Sequence, residues 1–142
     1  MKFIADVMLG RLARLMRFAG YDVEYDSNAD DDFLLKRSRH KMLLTRDRPL
    51  AKRASSRLVY FVESMGAIRQ LEEIQRKFPL ESPAATRCLL CNVKIRKIAK
   101  SRVRHLVPPF IFSKHDNFLI CPHCGRIYWP GTHFEGMLRV IK

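Results

Sequence analysis

Five of the aspartates and all four cysteines are the residues whose types and spacing could do chemistry. Asp6 ends the apolar run Phe3-Ile4-Ala5, Asp30, Asp31 and Asp32 stand in a row, and Asp47 follows Leu43-Leu44-Thr45-Arg46. Each lies between a strand-like stretch, or the loop after it, and the start of a helix-like one. Taken singly, each is explained as a helix N-cap or a first-turn acid that complements the helix dipole. Taken together they suggest more. Carboxylates gathered at one edge repel one another unless a cation lies between them. A hard divalent ion such as Mg²⁺ takes a few carboxylates and keeps several waters. Such an ion can acidify a water and neutralise charge on a phosphate under in-line attack, which is phosphodiester hydrolysis with no covalent intermediate. Arg11, Arg14 and Arg46 are close enough in sequence to these acids to hold a phosphate backbone, with plain surface solvation as their alternative. Arg17 is read as surface alone.

Cys88-x-x-Cys91 and Cys121-x-x-Cys124 are separated by 29 residues. Each pair matches a knuckle, a tight turn in which two thiolates face one ion, and two knuckles supply the four soft ligands of a closed tetrahedral zinc site. A redox dithiol would need one such pair, not two. Four cysteines leave no open position, so the zinc is expected to be structural. Gly125 follows the second pair, where positive φ is often required. His123, inside that knuckle, is read as solvent-facing rather than as a ligand. Lys94, Arg96 and Lys97 between the knuckles, with Arg126, Trp129 and His133 beyond, offer charges and ring faces to RNA. For Trp129 a place in a small core is the open alternative.

The net charge of +13 and isoelectric point near 10.1 imply a polyanionic partner, and the imbalance is uneven. Residues 1–86 carry 16 Lys and Arg against 12 Asp and Glu, whereas residues 87–142 carry 11 against 2. No apolar run is long enough to span a bilayer, and the first residues lack a secretory pattern. A soluble cytoplasmic protein is expected, with reduced cysteines available for metal. There is no G-x-x-x-x-G-K phosphate loop and no glycine-rich dinucleotide fingerprint after the first strand, and the five histidines show no spacing that suggests a catalytic triad.

The elements that must position these residues follow from periodicity. A buried strand is expected over 2–5 and a helix over 8–19, with Leu9, Leu12, Ala13 and Met16 on one stripe and Gly20 as its stop. Strands over 21–25, 42–45 and 58–62 follow. Asp30-Asp31-Asp32 opens a short helix, Asp47 caps another that has Pro49 in its first turn, and a last helix covers 66–78 with Ile68, Leu71, Ile74 and Phe78 inward. Such alternation predicts an α/β fold: a parallel sheet with helices on both faces and its strand ends on one edge. Residues 79–85 read as a linker, dividing the chain into units 1–80 and 81–142. The second unit has short β-type runs at 94–98, 118–120 and 127–129, with Pro108-Pro109 interrupting the middle.

Several of these stretches carry a resemblance. Phe3-Ile4-Ala5-Asp6, Met8-Leu9-Gly10-Arg11-Leu12-Ala13-Arg14, Gly20-Tyr21-Asp22 and Leu43-Leu44-Thr45-Arg46-Asp47 are similar to the mut-seven C-terminal ribonuclease domain family. Arg87-Cys88, Cys91-Asn92, Val107-Pro108, Cys121 to Trp129 and Gly131-Thr132-His133 continue the match over nearly the whole chain. The resemblance implies a PIN-like nuclease domain followed by a zinc ribbon, and a Mg²⁺- or Mn²⁺-dependent ribonuclease using clustered acids. Asp6 and Asp47 match the first and third acidic positions. Asp31 is taken for the second; the fourth acid of many PIN domains has no clear counterpart here, with Glu63 after the fourth strand as the candidate. The alternative is a PIN-like scaffold on ribosomal or other structured RNA, binding without much catalysis.

Overall fold

Residues 2–5 form the first strand, β1 (Lys2–Ala5), whose last three residues are buried. The computed structural model describes residues 1–81 and 86–129, so His133 and the Gly131-Thr132 step lie outside the described residues, as does part of the expected linker. β1 has a parallel neighbour on each side, β2 (Asp22–Glu24) with Phe3 opposite Val23 and β3 (Met42–Thr45) with Ile4 opposite Leu43. β4 (Val59–Phe61) extends the sheet beyond β3, giving the order β2-β1-β3-β4 with every pair parallel.

The helices are α1 (Gly10–Ala19), α2 (Asp31–Arg37), α3 (Arg48–Arg53) and α4 (Ala67–Lys77). Because strand side chains alternate faces, β1 feeds two cores. Phe3 and Ala5 join Leu12, Met16, Leu71 and Ile74 under α1 and α4, while Ile4 joins Leu34, Leu43 and Leu50 under α2 and α3. Full burial of one such side chain contributes about 1.5–3 kcal/mol. Helix α1 ends at Gly20, whose φ of 104° closes the helix with a left-handed residue.

Two expectations need correction here. The helix foreseen over 8–19 starts at Gly10, after a separate 3-10 turn over Val7–Leu9 in which the Leu9 N–H donates to the Asp6 carbonyl. Ile68 does not face inward. It is 54% exposed, because the first turn of α4 follows the exposed Met65 and Gly66 at the carboxyl edge, and the inward face begins with Gln70 and Leu71.

The second sheet is antiparallel, β5 (Arg96–Ile98), β6 (Phe118–Ile120) and β7 (Ile127–Tyr128). Between β5 and β6 the sequence showed only a proline break, but the chain forms a 3-10 turn over Lys100–Arg102 and a helix, α5 (Pro109–Lys114). Pro109 suits a first turn because it has no N–H to leave unsatisfied. Val103, Val107 and Phe118 make a small core here, with Ile111, Phe112 and Trp129 packed against it.

Glu73 of α4 is a buried carboxylate that sequence reading passed over. It accepts hydrogen bonds from the Tyr60 hydroxyl at 2.7 Å and from the backbone N–H groups of Glu63 and Ser64 at 3.0 and 2.7 Å. Burial opposes its charge, but the Ser64 and Tyr60 bonds and the backbone amides outweigh that and hold the group down to about 2. A depressed carboxylate stabilises the fold above its unfolded pKa and loses that stabilisation as pH falls through the folded one. Glu73→Gln is therefore expected to cost about 2–3 kcal/mol at pH 7 in denaturant titrations, and the gap from wild type should close between about pH 5 and pH 2. A second expectation concerns Gly10. A Cβ there would lie 2.8 Å from the Tyr25 hydroxyl, which is itself bonded to the Val7 carbonyl at 2.7 Å. Gly10→Ala should destabilise by about 1–2 kcal/mol despite its better helix propensity, as thermal unfolding would register.

Candidate active site and metal centre

Strand order β2-β1-β3-β4 means that the chain leaves β1 in one direction to make β2 and crosses back to make β3. The crevice outside the carboxyl ends of β1 and β3 is thus the topological switch point, where ligands bind in open parallel sheets. Asp6 follows β1 and Asp47 follows β3, so both flank that crevice. Asp6 is 4% exposed and continues the ladder, its N–H donating to the Leu44 carbonyl at 2.9 Å. Thr45 links the Asp6 carboxylate to the backbone of Asp47. Its hydroxyl donates to Asp6 Oδ2 at 2.7 Å and accepts the Asp47 N–H at 2.9 Å. Asp47 also caps α3, accepting from the Leu50 N–H at 3.1 Å, so capping and site geometry coexist in one residue.

The aspartate triplet divides its labour. Asp30 is the N-cap of α2, accepting from the Phe33 N–H at 2.8 Å. Asp31 and Asp32 each lie 3.4 Å from the Arg53 guanidinium at the far end of α3. Asp31 therefore shares the edge but faces Arg53, and among the described residues the acids do not form a close ligand cluster of the kind the cysteines form. Glu63 is exposed just beyond β4, on the same edge.

Arg46 has a different occupation from the one its position suggested. Its Nη1 donates to the carbonyls of Val62, Glu63 and Ser64 at 2.7, 2.6 and 3.2 Å. The loop that bears Glu63 is clasped from two sides, its carbonyls by Arg46 and its amides by Glu73. Arg11 and Arg14 are exposed on α1, and Lys94, Arg96, Lys97 and Arg126 are exposed around the second sheet. Trp129 is half-buried against Val103, Val107 and Phe118, so both sequence readings have a share in it.

Arg17 overturns its reading as solvated surface. It is 6% exposed, because its guanidinium donates to the Val23 carbonyl at 3.0 Å and to the Leu89 carbonyl at 2.6 Å. Nothing in the helical spacing distinguishes it from Arg14, since its acceptors lie on another strand and on the first knuckle.

The four cysteines converge. Their sulfurs all lie within 4.8 Å of one another, and Cys88 Sγ is 3.8 Å from Cys124 Sγ. Four thiolates at about 2.3 Å from a tetrahedral zinc stand about 3.8 Å apart, so this set fits that ion. The two knuckles repeat one backbone design. Asn92 N–H donates to the Cys88 carbonyl and Gly125 N–H to the Cys121 carbonyl, both at 2.9 Å, with φ of 64° at Asn92 and 77° at Gly125. Asparagine tolerates that region better than other side chains do, so Asn92 was the signal that matched Gly125. Tyr128 places its hydroxyl 3.1 Å from Cys88 Sγ and accepts the Leu89 N–H at 3.1 Å. Burial opposes ionisation of Cys88, but Tyr128 and the nearby amides outweigh it and bring the thiol to about 7. His123 is exposed, and the cluster consists of cysteines alone.

Among the described residues no helix is long and apolar enough to cross a membrane. No curated protein and no solved structure matches the chain. A family model described as the Mut7-C RNAse domain matches residues 1–141. A parallel sheet with Asp6 and Asp47 following the two strands at its switch point, a small antiparallel sheet beside four convergent cysteines, and a match over residues 1–141 lead to one conclusion: the chain belongs to the Mut7-C RNAse domain family.

Proposed function

We propose that this protein is a metal-dependent ribonuclease that cuts RNA internally, with Asp6, Asp31 and Asp47 as its acids and Mg²⁺ or Mn²⁺ as the ion they hold. The observation that supports this best is the buried Asp6 carboxylate at the crevice between β1 and β3, held by the Thr45 hydroxyl that also accepts the Asp47 backbone N–H. Among the described residues no Lys or Arg pairs with the buried Asp6. A buried carboxylate left to a hydroxyl suits a cation, and its hard oxygen donors suit Mg²⁺ or Mn²⁺. An ion held there would supply Lewis acidity toward a phosphate attacked in line by water.

The chain's own contribution is positioning. Thr45 orients the Asp6 carboxylate, and the α3 cap fixes Asp47. Asp31 joins them by releasing Arg53, an exposed pair worth no more than about 1 kcal/mol. Arg46 and Glu73 hold the loop that presents Glu63. Arg11 and Arg14 then face the RNA backbone beside the crevice, while Lys94, Arg96, Lys97 and Arg126 grip it from the second sheet, with residues 1–80 as the cutting unit and 81–142 as the zinc-stapled RNA-holding one. Four reduced cysteines are in keeping with a cytoplasmic location.

A second reading is a scaffold that binds ribosomal or other structured RNA with little cleavage, favoured by the turn of Asp31 toward Arg53. Cleavage of single-stranded and structured RNA with Mg²⁺ or Mn²⁺ separates the two. Asp6→Asn and Asp47→Asn are each expected to slow cleavage by about two orders of magnitude or more while RNA affinity holds. Wild type that binds but does not cut would leave only the scaffold. Neutralising Lys94, Arg96 and Lys97 to Gln should weaken binding to all sequences alike and reduce the slope of log affinity against log salt by about 2 on single strands.

A further inference from the structure

Arg17 answers to neither the acidic edge nor the cysteine ligands alone. Among the described residues no carboxylate lies within ion-pair distance of it, although it is 6% exposed. Burying a cation without a contacting charge partner is costly even after relaxation, and Asp22 acts on it only from beyond ion-pair distance. What it does touch is the first knuckle: Nη1 reaches the carbonyls of Leu89 and Leu90, the two residues between Cys88 and Cys91, at 2.6 and 3.4 Å. Zinc with four thiolates carries a formal charge of about −2, and a nearby cation lowers the cost of burying it. Burial, with Arg14 nearby, pulls the Arg17 pKa down, while the charges of Cys88, Cys91 and Asp22 oppose that.

The same knuckle is strapped to the parallel sheet at its neighbours. Arg87 N–H donates to the Arg17 carbonyl at 2.9 Å. Asn92 accepts the Val23 N–H at 3.1 Å and donates to Asp22 Oδ1 at 2.8 Å, while Arg87 Nη1 donates to the Asn92 carbonyl at 2.8 Å. Val23 belongs to β2, the outer strand, whose open edge would otherwise present unpaired N–H groups. The left-handed Asn92 therefore serves twice, closing the knuckle turn with its backbone and covering the sheet edge with its amide.

We propose that Arg17 acts on the metal site from outside the ligand set, its guanidinium balancing the tetrathiolate charge, so that metal retention and docking of the first knuckle on β2 form one linked equilibrium. The cysteine cluster is then part of the parallel-sheet fold and not a separable appendage. This rests on the zinc reading of the cluster and is independent of whether the protein cuts RNA.

Zinc content of the purified full chain comes first. About one ion per chain is expected, and a chain without zinc overturns both the zinc reading and this one. Arg17→Met keeps the side chain's length but removes its charge and donors. Chelator competition is expected to show zinc held about 10–100-fold less tightly in that variant, with Arg17→Lys between it and wild type. Hydrogen exchange on the wild type needs no variant to fold: the Val23 and Arg87 amides should lose protection by about tenfold or more when zinc is stripped. Zinc affinity unchanged by Arg17→Met, or Val23 and Arg87 amides indifferent to zinc, overturns the linkage.

Discussion

Beyond the last rung of the β1–β3 ladder, Asp6 donates its N–H to the Leu44 carbonyl, and Thr45 on the adjacent strand then offers its hydroxyl to the Asp6 carboxylate. Parallel pairing is what makes this meeting possible, since both strands release the chain at one edge. A slip of one residue would turn Thr45 to the opposite face and bury the wrong side chains, because strand side chains alternate with a period of two. Two cores reject that slip at once. Ala5 and Leu44 pack under α1 and α4, while Ile4 and Leu43 pack under α2 and α3. The geometry of the acids is thus secured by apolar burial several ångströms away from them.

Two charged side chains near this edge, Arg46 and Glu73, are bound to backbone. Arg46 takes three carbonyls of the loop after β4, and Glu73 takes two of its amides, so one short segment is held by a cation and an anion acting on opposite ends of its peptide dipoles. Hydrogen bonds to charged groups contribute more than neutral ones, about 1.5–3 kcal/mol each when water is excluded. Tyr60 completes the clasp, its hydroxyl bonded to Glu73 and its ring edge-on to Phe78 at 5.3 Å. Arg11 and Arg14 on α1 and Arg96 and Lys97 on β5 are exposed instead.

Arg17 and Asn92 show the same economy at the other end of the sheet. At the first knuckle a buried guanidinium collects the carbonyls of Leu89 and Leu90. The outer strand β2 gains a cover, and the first knuckle gains a rigid seat.

Much of the fold was legible in order and type. β3 (Met42–Thr45) and β1 (Lys2–Ala5) fall where apolar runs bounded by turn residues placed them, and Asp47 and Pro49 open α3 as cap and first-turn residue. The convergence of the cysteines was legible because a group able to hold a metal demands fixed spacing within each knuckle. What periodicity missed was α5, since two prolines read as a break and not as a helix start, and the exposure of Ile68, since a stripe says nothing about where a sheet ends. Local sequence determined most of the secondary structure, the uneven distribution of charge, and the chemical types available to a site. Only tertiary structure decided that Thr45 bonds the Asp6 carboxylate, that Arg46 is a clasp, and that Arg17 is buried under a knuckle 72 residues away. The physical reason is that a hydrogen bond needs its partner within about 3 Å, and partners far apart along the chain are brought that close by packing, which no spacing in the sequence records.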